Sequence, residues 1–447
     1  MTGRSFASVT LLIAGAVHLS LFGLLPFGWK PLGDILLLAL CVRCGVRAVF
    51  VDRTSAAPVW AQRVARSFAV YVVVLTVVSI TTPSEFVLVV QWARRWLVLA
   101  LYGLLITHSS SDAFDPLILR KGVLTMALTA TVVLFAADLY GLSWPSVVES
   151  IESQGGQLVK KVSAPGTFLI VLALLTSWGW VLQRASIRSI GSAVAWAVVF
   201  ALAIRFRGWW IATAAAAACI PVLLARLNAA TMLTAARSLA IAAVAVGAIV
   251  TSYAASDATR EQVSTQWDWI SSAIDEWQSG SGNVRYRLDR DVSRITQAPS
   301  TDVWREWTGY GFLPEDSYAG NRYGMTSETN DSGWIEVLVT GGYVAAVMVL
   351  LLVGAIVRTT WTMGARHGHV AVGAMAGWLV AGLTMVSSNL LLWDFGFVPL
   401  ALWSMSAWSE PVHDRRDSTE TTRAQTRPAA VRIRTLATAP LHGKTFL

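Results

Sequence analysis

The chain has 447 residues, of which 55% are hydrophobic and only 14% are charged, and its mean hydropathy is +0.55. A soluble globule of this size needs more polar surface than this composition provides, so lipid is predicted to be its main solvent. The net charge of +8 does not indicate nucleic-acid binding, because Lys and Arg stand at the ends of hydrophobic runs instead of forming one patch.

Apolar runs long enough to cross a bilayer recur along the chain and predict an all-α, polytopic membrane protein with about twelve transmembrane helices. The first run is not followed by a small-residue cleavage site, so it is interpreted as an uncleaved helix. The predicted spans are residues 8–25, 32–50, 68–82, 86–106, 122–140, 165–182, 192–206, 209–225, 238–255, 335–357, 370–387 and 390–408.

The distribution of basic residues predicts the orientation, since short cytoplasmic connections collect Lys and Arg. With a cytoplasmic N-terminus, most arginines between spans fall inside. Both termini are then cytoplasmic and one large loop is outside. The predicted organisation is residues 1–255 with nine spans, 256–333 as the outer catalytic loop, 334–409 with three spans, and 410–447 as a disordered basic tail.

Two arginines interrupt the apolar run of residues 86–106. Arg94 and Arg95 lie about eight residues from its outer end, which at roughly 1.5 Å per residue is deep for ordinary flanking residues. Charge at such depth favours a function, so a role in binding an anion or a lipid is one hypothesis. The alternative is structural pairing with a carboxylate such as Asp34 or Asp138.

A second arginine pair occupies the tight outer turn before the span of residues 209–225. Arg205 and Arg207 stand where positive-inside statistics disfavour arginine, so a partner such as a phosphate is expected. The alternative is that they anchor to lipid headgroups beside Trp209 and Trp210.

The outer loop carries most of the remaining candidates. Arg285 and Arg287 lie in a charged stretch, Gly311 closes a Gly-Tyr-Gly sequence, and Asn330 and Asp331 immediately precede a predicted span. A carboxylate at a rigid helix start near the membrane surface suits catalysis, although an aspartate there is also a common helix cap.

In order and spacing, these motifs resemble the O-antigen ligase and polysaccharide polymerase family of membrane enzymes. Its arginine-glycine turn ahead of a span is similar to Arg207-Gly208. Its serine and arginine followed by a glycine pair are similar to residues 281–285 followed by residues 309–311. Its His-Asn or Asp-Asn ahead of a Leu-Glu-x-Leu sequence and a glycine is similar to residues 331–338 followed by Gly342.

Two positions depart from that pattern. Asp331 stands where the ligase branch has histidine, and Ser332 stands where asparagine is usual. An aspartate at this place is more similar to the polymerase branch. The choice between ligase and polymerase stays open at this point.

The resemblance implies a GT-C-like membrane glycosyltransferase in the bacterial plasma membrane. It would transfer a glycan from a polyprenyl-pyrophosphate donor to a glycan, lipid or protein acceptor, with membrane lipids around it and no cofactor. Asp331 would accept the proton of the acceptor hydroxyl. Arg207 and Arg285, or Arg287 in place of Arg285, would hold the pyrophosphate. The substrate-binding residues would further include Arg205, Arg94, Arg95, Asn330 and Gly311.

The outer loop offers arginines where a metal-dependent enzyme would place clustered carboxylates, although residues 289–291 read Asp-Arg-Asp, and an inverting, metal-independent reaction is expected. Cys41 and Cys44 form a CxxC sequence, but nothing nearby completes a four-ligand metal site.

Two other functions remain compatible with the sequence. A transporter or flippase for a lipid-linked or anionic substrate would show internal repeats and broken helices near the midplane. A non-catalytic assembly partner would tolerate loss of the arginines.

Overall fold

The structure is a computed structural model of the chain. It describes residues 3–19, 30–50, 57–81, 86–110, 113–139, 148–152, 158–162, 164–204, 207–227, 236, 240, 279, 303–312, 333–364, 368–386 and 395–408. Residues Met1–Glu410 form one compact unit and Pro411–Leu447 a second. The predicted basic tail lies outside the described residues.

Helices dominate the described residues, as the composition predicts. In chain order they are α1 Gly3–His18, α2 Lys30–Phe50, α3 Val59–Thr81, α4 Phe86–His108, α5 Pro116–Leu139, α6 Ala164–Gln183, α7 Ile187–Ala203, α8 Arg207–Arg226, α9 Val303–Thr308, α10 Gly333–Gly364, α11 Gly368–Thr384 and α12 Phe397–Ser406.

Six of the described helices are long and apolar enough to cross a membrane, which supports a polytopic membrane protein. They are α3, α4, α5, α6, α8 and α10, while α7, α11 and α12 are shorter apolar helices. Helix α2 is not among the six; Asp34, Arg43 and Arg47 interrupt its apolar sequence. The total of about twelve spans stays a prediction.

The predicted spans that fall on described residues coincide with helices, but their ends differ. Helix α3 begins at Val59, well before the apolar run at residue 68, and includes Arg63 and Arg66. Hydropathy locates only the part of a helix that lies in hydrocarbon, whereas a helix continues through polar residues into the headgroup layer. Short α9 lies within the predicted outer loop, and residues 238–255, the predicted ninth span, are outside the described residues apart from Ala240.

Contacts between helix ends show two levels. Following the predicted orientation, we name the level of His18 the outer end and the opposite level the inner end. At the outer end the pairs are His18 with Asp34, Tyr71 with Gly341, and Trp334 with Gly382. At the inner end they are Arg43 with Gly3, Arg66 with His108, Arg120 with Ser406, and His369 with Gln183.

Helices α8 and α10 run in the same direction, from the outer end to the inner end. The ring of Trp209, at the start of α8, packs against Phe168, near the start of α6, with centroids 4.6 Å apart. Helix α6 ends at the inner end beside His369, so α8 begins at the outer end and finishes at the inner one. Helix α10 also begins at the outer end, where Trp334 donates to the Gly382 carbonyl near the end of α11.

Helices α11 and α12 lie in the core of the bundle. Every residue of α12 is buried, as are most residues of α11, because both helices are apolar on all sides. Helix α11 approaches α6 closely through Gly373 and Gly377, which pack against Thr176 and Leu172. Small residues at this spacing let two helix backbones approach within a membrane, where packing drives association.

A short antiparallel β-ribbon lies between α5 and α6 in the chain. Strand β1 is Val148–Glu152 and β2 is Leu158–Val162, with Glu149 opposite Lys161 in register. In the predicted topology these residues lie in an outer connection between two spans, and strands were not predicted there.

Candidate functional site at the outer end of the bundle

Helix α10 is broken at Gly342, and this break organises the outer end. Gly342 has φ 63° and ψ −162°, a conformation that interrupts the helix. In a regular helix, the carbonyls just before Gly342 would accept hydrogen bonds from N–H groups four residues later. The break moves those N–H groups out of reach. Carbonyls that are withdrawn from water need other donors.

A segment of the outer loop supplies those donors. The backbone N–H of Tyr310 donates to the Val339 carbonyl at 2.8 Å, and that of Gly311 donates to the Thr340 carbonyl at 2.9 Å. The hydroxyl of Tyr71 donates to the Gly341 carbonyl at 3.0 Å. Loop and helix break therefore form one hydrogen-bonded unit. We name residues 309–312 the strap.

The strap is also attached to α3 and α4. Phe312 donates its backbone N–H to the Ser79 hydroxyl at 2.8 Å, and Ser79 donates in turn to the Leu75 carbonyl. The Phe312 ring is fully buried and meets Trp96 edge to face, with centroids 5.9 Å apart. A loop residue is thus packed as a core residue between two membrane helices.

Glycine is required at the contact itself. Gly309 and Gly342 both have positive φ, and a Cβ on either would collide with backbone atoms of the other segment. Gly311 has φ 86°, and a Cβ there would lie 2.6 Å from the Ser79 hydroxyl oxygen. Side chains at Gly309 or Gly342 would force α10 away from α9 and the strap, and a side chain at Gly311 would force the strap away from α3.

Arg94 lies at the same level as this break. Helices α4 and α10 both run from the outer to the inner end, and Gly103 of α4 packs against Leu352 of α10. Nine residues back from Gly103 is Arg94, and ten residues back from Leu352 is Gly342. At about 1.5 Å per residue these distances are nearly equal.

Arg94 forms a bidentate ion pair with Asp34 of α2. Its Nε donates to one carboxylate oxygen at 2.5 Å and a terminal nitrogen donates to the other at 3.2 Å. His18 of α1 contacts the same carboxylate through Nε2 at 2.9 Å. Three helices are therefore joined by one charged cluster. Of the two hypotheses for Arg94, the structure shows the pairing with Asp34, and the role in binding an anion or a lipid stays a prediction.

Aromatic rings enclose this cluster. The Phe395 ring stacks on His18 at 5.4 Å and lies 5.4 Å from the Arg94 guanidinium carbon. Phe395 adopts φ 56°, which is unusual for a residue with a side chain and brings the segment before α12 against the cluster. The buried Tyr102 meets His18 edge to face at 6.1 Å. Asp34 is 28% and Arg94 24% exposed, so both are partly withdrawn from solvent.

Arg95 points elsewhere. Its guanidinium lies over the Trp92 ring at 4.9 Å, one helical turn earlier on α4, as a cation–π contact. The two adjacent arginines therefore differ in partner: a carboxylate holds Arg94, while an aromatic face holds Arg95. An anion approaching this level would compete with Asp34 for Arg94.

Several predicted site residues lie outside the described residues: Arg205, Arg285, Arg287, Asn330 and Asp331. Arg207 begins α8, directly after the predicted tight turn, but its side chain also lies outside the description. Gly311 is in the strap. Of the predicted set, the structure thus brings Gly311 to the level of Arg94 and Arg95, next to the helix that follows Asp331.

Sequence reasoning did not select His18, Tyr71 or Ser79. His18 lies within the first predicted span and its partner Asp34 is on the next helix, so only the fold pairs them. The adjacent glycines Gly341 and Gly342 within an apolar run were a usable signal for a helix break.

Within the described residues, no group of three or more His, Cys, Asp or Glu side chains could hold a metal ion. Chemically, the outer end offers two arginines, a buried carboxylate at Glu336 and a backbone strap.

Comparison with models of known protein families finds no match, and comparison with curated protein sequences finds none either.

Proposed function

We propose that this chain is a membrane glycosyltransferase that transfers a glycan from a polyprenyl-pyrophosphate donor to an acceptor hydroxyl on the outer face of the membrane. The observation that carries the proposal is the docking of the strap on the break of α10. Two motifs of the resemblance, about thirty residues apart, are thereby in contact, which supports a shared role for residues 309–312 and the start of α10.

The donor would be a lipid whose pyrophosphate lies at the outer headgroup level. Displacing it needs cations on the leaving phosphates, and arginine suits this role because it binds phosphate bidentately and stays charged. Arg207 and Arg285 are the proposed pair, with Arg287 as the substitute for Arg285. Arg205, Arg94, Arg95 and Asn330 would contact the donor or acceptor at the same end.

The acceptor hydroxyl must lose its proton as it attacks the anomeric carbon. Asp331 is the proposed base, two residues before α10 begins at Gly333. The attack would come from the face opposite the leaving pyrophosphate and would invert the anomeric centre. The proton would pass to the Asp331 carboxylate, and the departing pyrophosphate would carry the negative charge beside the arginines.

The test is glycan transfer by protein reconstituted in vesicles with a polyprenyl-pyrophosphate-linked donor. Asp331→Asn is expected to reduce transfer by about 10²-fold or more, because asparagine caps a helix nearly as well but cannot accept the proton. Asp289→Asn, another aspartate of the outer loop, is the matched control and should retain activity. Near-normal transfer by Asp331→Asn would leave Asp331 as a cap.

Arginine variants complete that test. Arg207→Ala and Arg285→Ala should each reduce transfer, and Lys at either position should restore it only in part, because an ammonium cannot form the bidentate contact. If both alanine variants form product normally at normal protein levels, the pyrophosphate site is elsewhere.

A transporter or flippase is the second candidate, and the break at Gly342 together with the Asp34–Arg94 pair favours it. The break lies nine residues, about 13 Å, after the start of α10 and 22 residues, about 33 Å, before its end at Gly364, so it is nearer the outer end of this helix than the inner end. Movement of a labelled lipid-linked glycan across vesicles without any glycosidic bond formation would select this function.

A further inference from the structure

Short helix α9 presents an exposed aromatic face. Trp304 is 77% and Trp307 54% exposed, although a tryptophan in water is costly and both are near the membrane helices. The Trp307 ring meets Tyr343 of α10 edge to face, with centroids 5.7 Å apart. The face formed by these two tryptophans and Tyr343 is named here the aromatic face.

The aromatic face is continuous with a lipid-facing stripe on α10. Tyr343, Val347, Leu350 and Leu351 are all exposed and follow each other at helical spacing along one side. The stripe ends at the inner level with the exposed Arg358. Arginine at the cytoplasmic end and aromatic rings at the outer end are the pattern of a span bounded by its two interfaces.

The opposite side of α9 is polar. Glu306 is exposed and is about 130° around the helix from the middle of the Trp304 and Trp307 pair, at 100° per residue. A single helical turn therefore has tryptophans on one side and a carboxylate on the other. Such a segment suits the boundary between apolar chains and water.

We propose that the aromatic face of α9 and α10 lies in the outer interfacial layer of the bilayer and binds its lipids. Because α9 is followed directly by the strap, lipid binding would hold residues 309–312 at the membrane surface against the break of α10. This role concerns bilayer lipid and is independent of whether the chain transfers a glycan.

Spin labels test the proposal directly. The free cysteines Cys41, Cys44 and Cys219 are first replaced by alanine, and single cysteines are introduced as Trp304→Cys or Trp307→Cys. The full-length protein is reconstituted in phosphatidylglycerol and phosphatidylethanolamine vesicles. Power saturation then compares collisions of each nitroxide with oxygen, which enters lipid, and with a water-soluble nickel complex.

Two positions serve as matched controls. Glu306→Cys reports the water side of the same helix, and Val347→Cys reports lipid on α10. The ratio of oxygen to nickel collisions at residues 304 and 307 should exceed that at residue 306 several-fold and fall below that at residue 347. Equal, water-like ratios at 304, 306 and 307 would overturn the proposal.

A second measurement keeps the native cysteines. A photo-crosslinking amino acid is placed at position 304 in the otherwise unchanged protein, and again at 306 and 347, in vesicles that contain radiolabelled phospholipid. Lipid adducts at 304 and 347 but not at 306 are expected. Adducts at 347 without any at 304 would show that the aromatic face is not in contact with lipid.

Discussion

At the scale of single residues, the most informative feature is the pairing of Arg94 with Asp34. A charge within a membrane helix is costly, and a bidentate carboxylate partner offsets much of that cost. His18 adds a third helix to the pair. The cluster therefore joins α1, α2 and α4 close to the outer surface.

The pair should be energetically coupled. We expect Asp34→Ala and Arg94→Ala each to lower the free energy of unfolding, since each leaves a charge partly buried without its partner. The double variant should lose less than the sum of the two, with a coupling of about 1–3 kcal/mol. Unfolding of the detergent-solubilised protein in a denaturant titration measures these differences.

The exposed Arg43, also on α2, is the control for this double-mutant cycle. Its contact with the Gly3 carbonyl is long, at 3.3 Å, so Arg43→Ala should change the free energy of unfolding by no more than about 0.5 kcal/mol. If the changes in free energy of unfolding of the Asp34 and Arg94 single variants add up to that of the double variant, the contact contributes little to stability. The two charges would then be present for a reason other than their pairing.

At the scale of elements, the break of α10 and the strap depend on each other. The break releases the carbonyls of Val339 and Thr340, and the strap satisfies them. Positive φ at Gly309, Gly311 and Gly342 makes this close approach sterically possible. Neither segment would be stable in this form without the other.

Two glycines of the same helix test this dependence. Gly342→Ala should lower the free energy of unfolding by about 2 kcal/mol or more, because it combines an unfavourable φ with a collision against the backbone of Trp307. Gly354→Ala should be neutral or stabilising by up to about 1 kcal/mol, because a Cβ there meets open space in a regular helix. Thermal unfolding of the purified variants measures both.

Proteolysis gives the structural readout of the same change. If strap and break form one unit, Gly342→Ala should make the loop around residues 309–312 more sensitive to protease, while Gly354→Ala should leave it unchanged. Equal protease sensitivity of the two variants would mean that the strap is held by its contacts with α3 and α4 alone.

At the scale of the whole molecule, the described helices alternate between two levels, which agrees with the arrangement expected for a polytopic protein. Helix α8 ends at the inner level and α10 begins at the outer level. Residues 238–255 stay the predicted span between them. The predicted loop of residues 256–333 would then be outside.

Reporter fusions test the orientation. An alkaline phosphatase reporter fused after Ser281 should be active, since that enzyme folds outside the cytoplasm, and a fluorescent protein fused after Leu447 should fluoresce, since it folds inside. Activity of the Ser281 fusion only with a cytoplasmic reporter would reverse the predicted topology and place the proposed catalytic loop on the inner face.

The sequence by itself determined the helical class and the approximate positions of most described helices. Both follow from one physical constraint, since backbone groups in hydrocarbon must be satisfied within their own helix, and runs of apolar residues are directly readable. It also singled out Arg94 as a residue in need of a partner and included Asp34 among the candidates.

Only the tertiary structure decided which distant residues meet. The choice of Asp34 for Arg94, the addition of His18 and the docking of the strap on α10 depend on how helices pack and on a helix break that local periodicity does not show. The ribbon of β1 and β2 was not predicted either, because the alternation of apolar and polar residues in a five-residue strand is too short to be recognised. Long-range contacts of this kind depend on packing between side chains that are far apart in the chain, and a hydropathy pattern does not predict which of these side chains meet.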